Sequence, residues 1–388
     1  MPMNILALSI HDLRYPIHGS ARFQLSTLGS IALAGGRVIY MASDTHASVA
    51  NIYLRSRYGS SSFTMIKAQI RNYELDAPRI AQLLREINFE PDILLCFDRR
   101  QIILCRTISK TLKIPLILVM DSVRYLHYRE LLAINAGPTF ALLTPLGIGF
   151  YYITTLMSNH TICVSRYIEE KLRKITNKVT TIEPTFMLLD GKSDALPPHN
   201  IDDVPENSVL LSAPLNIATY IILKLRDVNF VITGPAAYYM KIHLKQIGLE
   251  TRLNNLFLLH NINDRDLEKI HTKITLAVIA RPALTGFSVT FIQEMYFRKP
   301  TITDQNVASR VEGSLSLNPA IINNDYKTWP RIIKEILNNE DMINILSENA
   351  HYFFHTHLNP LIIGKKYLSL FTEVLKNNKT WQSPPLHI

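Results

Sequence analysis

The sequence predicts two successive α/β units, each a parallel sheet flanked by helices. Three observations lead there. Short apolar runs alternate with longer helical patterns through both halves of the chain. Those runs hold few polar residues, as strands covered on both faces require. Between the halves lies "DGKSDALPPHNIDDVPENS" (190–208), rich in proline and acidic residues and poor in large apolar ones, which reads as a linker. A length of 388 residues is also more than one hydrophobic core usually serves.

In the first half the expected strands are "NILALSI" (4–10), "RVIYMAS" (37–43), "DILLCFD" (92–98), "PLILVMD" (115–121) and "TICVS" (161–165). Helical periodicity falls at 22–34, 77–88, 99–112 and 166–175. The second half repeats the alternation with strands at 209–214, 229–234, 256–261, 275–281 and 299–304. Its helices are expected at 236–248, 264–271, 288–297 and 328–348. The predicted organisation is an N-terminal unit (1–189), a linker (190–208), a C-terminal unit (209–355) and a final segment (356–388). That segment contains the amphipathic "GKKYLSLFTEVLKNN" (364–378), expected to cross back onto the first unit.

Composition narrows the class. With 47% hydrophobic and 19% charged residues the chain is a core-forming protein. The net charge of +9 suits anionic partners such as acidic headgroups or phosphorylated small molecules. Basic residues are scattered, with nothing longer than pairs such as Lys365-Lys366, which argues against nucleic acid as a partner. Cys96, Cys105 and Cys163 sit in apolar surroundings without metal-binding spacing and read as buried thiols of a reducing compartment. The N-terminus reads as a first strand, not a signal peptide, so a cytoplasmic location is expected. The segment 131–157 carries no charge and is long enough to span a bilayer, but Gly137, Pro138, Pro145, Gly147 and Gly149 interrupt it. Its readings are a pair of buried helices, a peripheral membrane-docking element, or a span. Arg124, His127 and Arg129 before it favour docking. Docking would leave Phe140, Leu142, Leu143, Leu146, Phe150 and Tyr151 partly exposed.

The chemistry concentrates in "ARPALTGFSVTFIQEMYFRKPTIT" (280–303). A strand ends at Arg281, a turn follows, and a helix begins with Ser288 as its expected N-cap. In open α/β sheets ligands sit beyond the carboxyl ends of strands, where helix N-termini point. Gly286 permits close backbone approach, and Arg281 offers a planar cation for phosphate.

The same stretch resembles the signature of the group 1 (family 4-like) retaining glycosyltransferases of the GT-B fold. That signature runs Glu-Gly-Phe-Gly, four residues, Glu-Ala-Met-Ala, then Gly-x-Pro-Val-Ile. Gly286, Phe287, Met295, Pro300 and Ile302 match it. Weaker likenesses occur at "NFVITGP" (229–235), "NNLFLLHNINDRDLEKIH" (254–271), "VEGSLSLNP" (311–319), "NHTICVSRYIEEKL" (159–172) and "YPIHGSARFQLSTLGSIALAGGRVIYMAS" (15–43). The resemblance implies two Rossmann-like domains facing across a cleft. It also implies sugar transfer with retention from a nucleotide-sugar to a glycan or lipid-linked acceptor, with no metal or other cofactor. By it, Arg281, Thr285, Gly286, Phe287 and Ser288 would serve the donor phosphates or sugar, and Gln293 and Glu294 the ribose side. Gly234 would allow close approach, Gly19 and Arg22 would face the donor across the cleft, and Asp121 would be the N-domain acid. Catalytic chemistry would rest on Asp121 and Glu294. The signature's two glutamates fall on Thr285 and Gln293, and "SAPLNIATY" (212–220) lacks the family's Arg and Lys. A second expectation is therefore a catalytically degenerate binding or scaffold protein of the same fold.

Overall fold

The computed structural model describes residues 2–9, 11, 13, 19–43, 48–68, 73–97, 101–121, 149–190, 201–249, 253–260, 262–281, 287–311 and 316–379. They form two sheets. The first contains β1 (Asn4–Ser9), β2 (Arg37–Ser43), β3 (Ser48–Ser56), β4 (Gly59–Ala68), β5 (Ile93–Cys96), β6 (Leu116–Met120), β7 (His160–Cys163), β8 (Val179–Thr181) and β9 (Leu188–Leu189). Their order is β8-β7-β6-β5-β1-β2-β4-β3-β9. All pairings are parallel except those of β3 with β4 and with β9. The second sheet is β10 (Ser208–Ser212), β11 (Phe230–Thr233), β12 (Leu256–Leu259), β13 (Ile274–Ile279), β14 (Thr301–Thr303) and β15 (Ile321–Ile322). Its order is β12-β11-β10-β13-β14-β15, parallel throughout.

The central strands are buried along most of their length, β1 from Ile5 to Ser9 and β13 from Leu276 to Ile279. Their continuous apolar runs follow from that double-sided burial. Largely parallel sheets of nine and six strands, connected through helices, make a mixed α/β protein of two Rossmann-like domains. The three cysteines are buried thiols, as their apolar surroundings led one to expect.

The hairpin β3–β4 has no counterpart among the strands expected from sequence. Its polar alternation ("SVANIYLRS", "GSSSFTMIKA") suits a half-exposed antiparallel pair. The helix expected over 328–348 is two, Trp329–Leu337 and Glu340–Phe353, because Asn339 caps the second through its side chain onto the Met342 amide. The C-terminal helix Pro360–Lys379 packs on Gly19–Leu33 of the first unit. Gly364 makes that crossing: a Cβ there would stand 1.9 Å from the Ser30 carbonyl oxygen. Lys366 adds a 2.8 Å ion pair to Glu183.

Candidate functional site

In the second sheet the chain builds β10, moves outward to β11 and β12, then returns to the other side of β10 with β13. The crevice between the carboxyl ends of β10 and β13 is therefore the topological switch point, where such sheets take ligands. Arg281, two residues after β13, lies across it. Its Nη1 donates to the carbonyls of Ser212 (2.8 Å) and Ala280 (2.9 Å), and Nη2 donates to Ser212 Oγ (2.7 Å). A guanidinium has five N–H groups, so these three bonds leave two without an acceptor among the described residues. Burial pushes the Arg281 guanidinium below its ordinary range, opposed by Asp304. The Asp304 carboxylate accepts from the Arg281 amide (2.6 Å), the Val307 amide (2.9 Å) and the Tyr326 hydroxyl (3.1 Å). It locks the rim of the crevice.

Ser288 caps Val289–Tyr296, its hydroxyl accepting from the Phe291 amide at 3.3 Å. Gly234 ends β11 and precedes the helix Pro235–Gln246 with φ 66°, ψ −152°, a conformation only glycine adopts without strain. Thr285 and Gly286 lie outside the described residues.

The first sheet has its own switch point, between β1 and β5. Gly19 opens the helix that follows β1, and the neighbouring Ser20 hydroxyl donates to Asp121 at the end of β6 (2.7 Å). Phe23, one turn along, sits edge-on to Phe97 (6.2 Å between centroids) and to Phe287 of the second unit (5.1 Å). Phe287 thus touches the opposite domain, next to the cap of Val289–Tyr296.

Two expected site residues are engaged elsewhere. Arg22 is 8% exposed and forms a two-pronged ion pair with Asp264, with Nη1 at 2.7 Å from Oδ2. It also lies 5.4 Å over the Phe186 ring. Glu294 is 0% exposed. Its oxygens face His271 Nε2 at 3.0 and 3.2 Å, while His271 Nδ1 donates to the Leu267 carbonyl (2.7 Å). The His271 ring stacks on Phe297 at 3.9 Å. Glu294 therefore links Asp264–Lys273 to Val289–Tyr296 inside the core. Gln293, partly exposed, donates from Nε2 to Glu294 Oε1 at 3.2 Å. Sequence gave no sign of His271, whose role depends on two helices meeting.

Of the uncharged segment 131–157, the part 131–148 lies outside the described residues. Residues 149–157 are helical. Phe150, Ile153 and Leu156 are exposed on it, at a spacing that puts them on one face. Tyr151 is fully buried, against the expected partial exposure, because it turns to the opposite face and packs in the first core. Among the described residues no helix is long and apolar enough to cross a membrane.

No protein-family model and no curated protein matches the chain. Solved structures do. HepE from Anabaena, determined with UDP and glucose, is 13% identical and aligns over 95% of this chain and 99% of its own, with TM-score 0.62. Sucrose-phosphate synthase from Thermosynechococcus elongatus is 13% identical over 97% of this chain and 100% of its own, with TM-score 0.65. WaaG, a glycosyltransferase involved in lipopolysaccharide biosynthesis, is 12% identical over 95% of this chain and 100% of its own, with TM-score 0.61. Likeness along nearly whole chains at such low identity establishes the architecture: this protein has the GT-B fold of two Rossmann-like domains.

Proposed function

We propose that the protein is a glycosyltransferase, moving a sugar with retention from a nucleotide-sugar to a glycan or lipid-linked acceptor. The observation that carries this reading is Arg281, a partly buried cation at the switch point of the second sheet with two N–H donors that meet no acceptor among the described residues. A donor diphosphate there would satisfy those donors and meet the capped N-terminus at Ser288. As the sugar–phosphate bond breaks, charge builds on the departing phosphate, and the cation and helix-end amides stabilise it without calling on a metal. The leaving phosphate would take the acceptor's proton. Gly234 would let the nucleotide approach the backbone, with Gln293 on the ribose side. Asp121, aligned by Ser20, would receive the acceptor or the sugar across the cleft. The linker 190–208 and the return of 356–388 would delimit the two domains about that cleft.

HepE was solved with UDP-glucose as well as with UDP, which supports a nucleoside diphosphate sugar as donor. A thermal-shift screen of nucleoside diphosphates and their sugars tests the reading, since a ligand binding only the folded state raises its stability. No shift with any of them would remove it. A second reading, a degenerate binding protein, is favoured by the burial of Glu294 against His271. It predicts nucleotide binding without sugar hydrolysis or transfer.

The acceptor side is proposed to meet a membrane surface through the exposed face of 149–157, with Phe150, Ile153 and Leu156 inserted among headgroups. Vesicle flotation checks this. Wild type should float with anionic vesicles and a triple serine variant at these positions should not. No flotation of either would leave a soluble acceptor.

A further inference from the structure

A second concentration of positive charge lies at the far end of Val289–Tyr296 from Ser288, about 12 Å away for a helix of this length. Arg57, in the turn between β3 and β4, places its guanidinium 5.3 Å from the centroid of the Tyr296 ring. Arg298 follows that helix with φ 60°, and Lys299 comes next. Tyr58 lies 5.3 Å from His355 and 6.1 Å from Phe354, and His355 is 6.2 Å from His351. Two arginines, a lysine and two histidines are thus gathered from a hairpin of the first unit, a helix end of the second, and the end of Glu340–Phe353 with the π-helical turn Phe354–Leu358 that continues it.

Little negative charge answers them. Glu348, mostly exposed, is 3.6 Å from Arg298 and is the one carboxylate paired with any of the five among the described residues. Nearby Glu268 is already engaged by Arg55. Arg57, Arg298 and His355 are exposed. The field is felt locally: after burial, Arg298 and Arg57 push the His351 imidazole below its ordinary value, as does His355, with Glu348 opposing. Burial and Arg57 likewise lower Lys299, against Glu294.

We propose that this cluster is an anion site, separate from the donor cleft, that takes a phosphomonoester through Arg57, Arg298 and His355. Guanidinium forks match phosphate oxygens, and imidazole N–H groups supply further donors. Because Arg57 belongs to the first unit and Arg298 to the second, a phosphate held by both ties the two domains together. The phosphomonoester could come from a free small molecule or from a lipid headgroup, and the chemistry of the contact is the same.

The test is calorimetric titration of inorganic phosphate into the full chain, alongside flotation with vesicles containing phosphatidic acid. Arg57→Ala and Arg298→Ala should each weaken binding roughly tenfold, as loss of one charge-assisted contact does. Arg226→Ala, which removes an exposed cation in the turn before β11, should leave it unchanged. Melting temperatures without phosphate establish that the variants are folded. Phosphate binding lost in the two variants assigns a soluble ligand; flotation alone, lost in the same variants, assigns the headgroup. Absence of both, or binding that Arg57→Ala and Arg298→Ala retain, overturns the proposal. Neither readout involves a nucleotide-sugar, so the result stands apart from the reading of the cleft.

Discussion

Arg22 and Asp264 form a buried ion pair that joins the first helix of one domain to the helix Asp264–Lys273 of the other. The same carboxylate accepts the Leu189 amide at 2.5 Å, and Arg22 reaches the Met187 carbonyl at 3.3 Å. The chain leaving the first domain is therefore bound into the pair. One turn along, Glu268 pairs with Arg55, and after a further turn His271 pairs with Glu294. A single short helix joins the two domains and holds Val289–Tyr296 through Glu294.

Removing Arg22 leaves Asp264 buried without its counter-charge. Breaking a buried pair in this way costs about 3–5 kcal/mol. Arg22→Ala should lower the denaturant midpoint accordingly, and the surface variant Arg331→Ala should not. Equal midpoints for wild type and Arg22→Ala would show that the pair adds nothing to stability.

Glu294 should behave as a structural residue. With His271 Nδ1 donating to the Leu267 carbonyl, Nε2 needs a partner that can share a hydrogen, and glutamine can donate one. Glu294→Gln is expected to stay within about 1 kcal/mol of wild type, while Glu294→Ala, which leaves His271 Nε2 buried without its partner, costs about 2–3 kcal/mol. Transfer activity should follow stability in both. An inactive but fully stable Glu294→Gln protein would return the carboxylate to the chemistry.

Much of the fold could be read from residue pattern. The central strands are continuous apolar runs, and their positions follow from sequence to within a few residues. The hairpin β3–β4 could not be read so, because its polar face yields only weak alternation, yet it carries Arg55, Arg57 and Tyr58 into the domain junction. The site was partly legible. The end of β13 and the cap at Ser288 are local features, set by a few neighbouring residues. The engagement of Arg22 and Glu294 depends on partners at Asp264 and His271, which no local pattern reveals. Tyr151 is a smaller case: composition marks the segment as apolar, but only the helix phase decides which side faces the core.

Stability should fall on acidification through His160. Burial pushes its imidazole below the ordinary value of 6.5, with Lys178 acting the same way and Glu373 and Glu169 opposing. The unfolded chain then binds the proton more readily than the folded one. The contribution is complete above pH 6.5 and is lost as pH falls from there through the lower folded value. His160→Gln, which can still bond the Thr180 hydroxyl, should flatten the stability–pH curve in that window. An unchanged slope would place the acid sensitivity elsewhere.

Whether Arg281 holds a donor is tested by titration of nucleoside diphosphate sugars, UDP-glucose among them, into wild type and Arg281→Ala. Saturable binding of a donor is expected, weakened roughly 10–100-fold by the substitution, in line with a desolvated charge-assisted phosphate contact of about 1.5–3 kcal/mol. Melting of the unliganded proteins would separate this from loss of the Ser212 hydrogen bonds. If no nucleotide-sugar binds, or if Arg281→Ala binds the donor as tightly as wild type, the cleft at the ends of β10 and β13 is not the donor site.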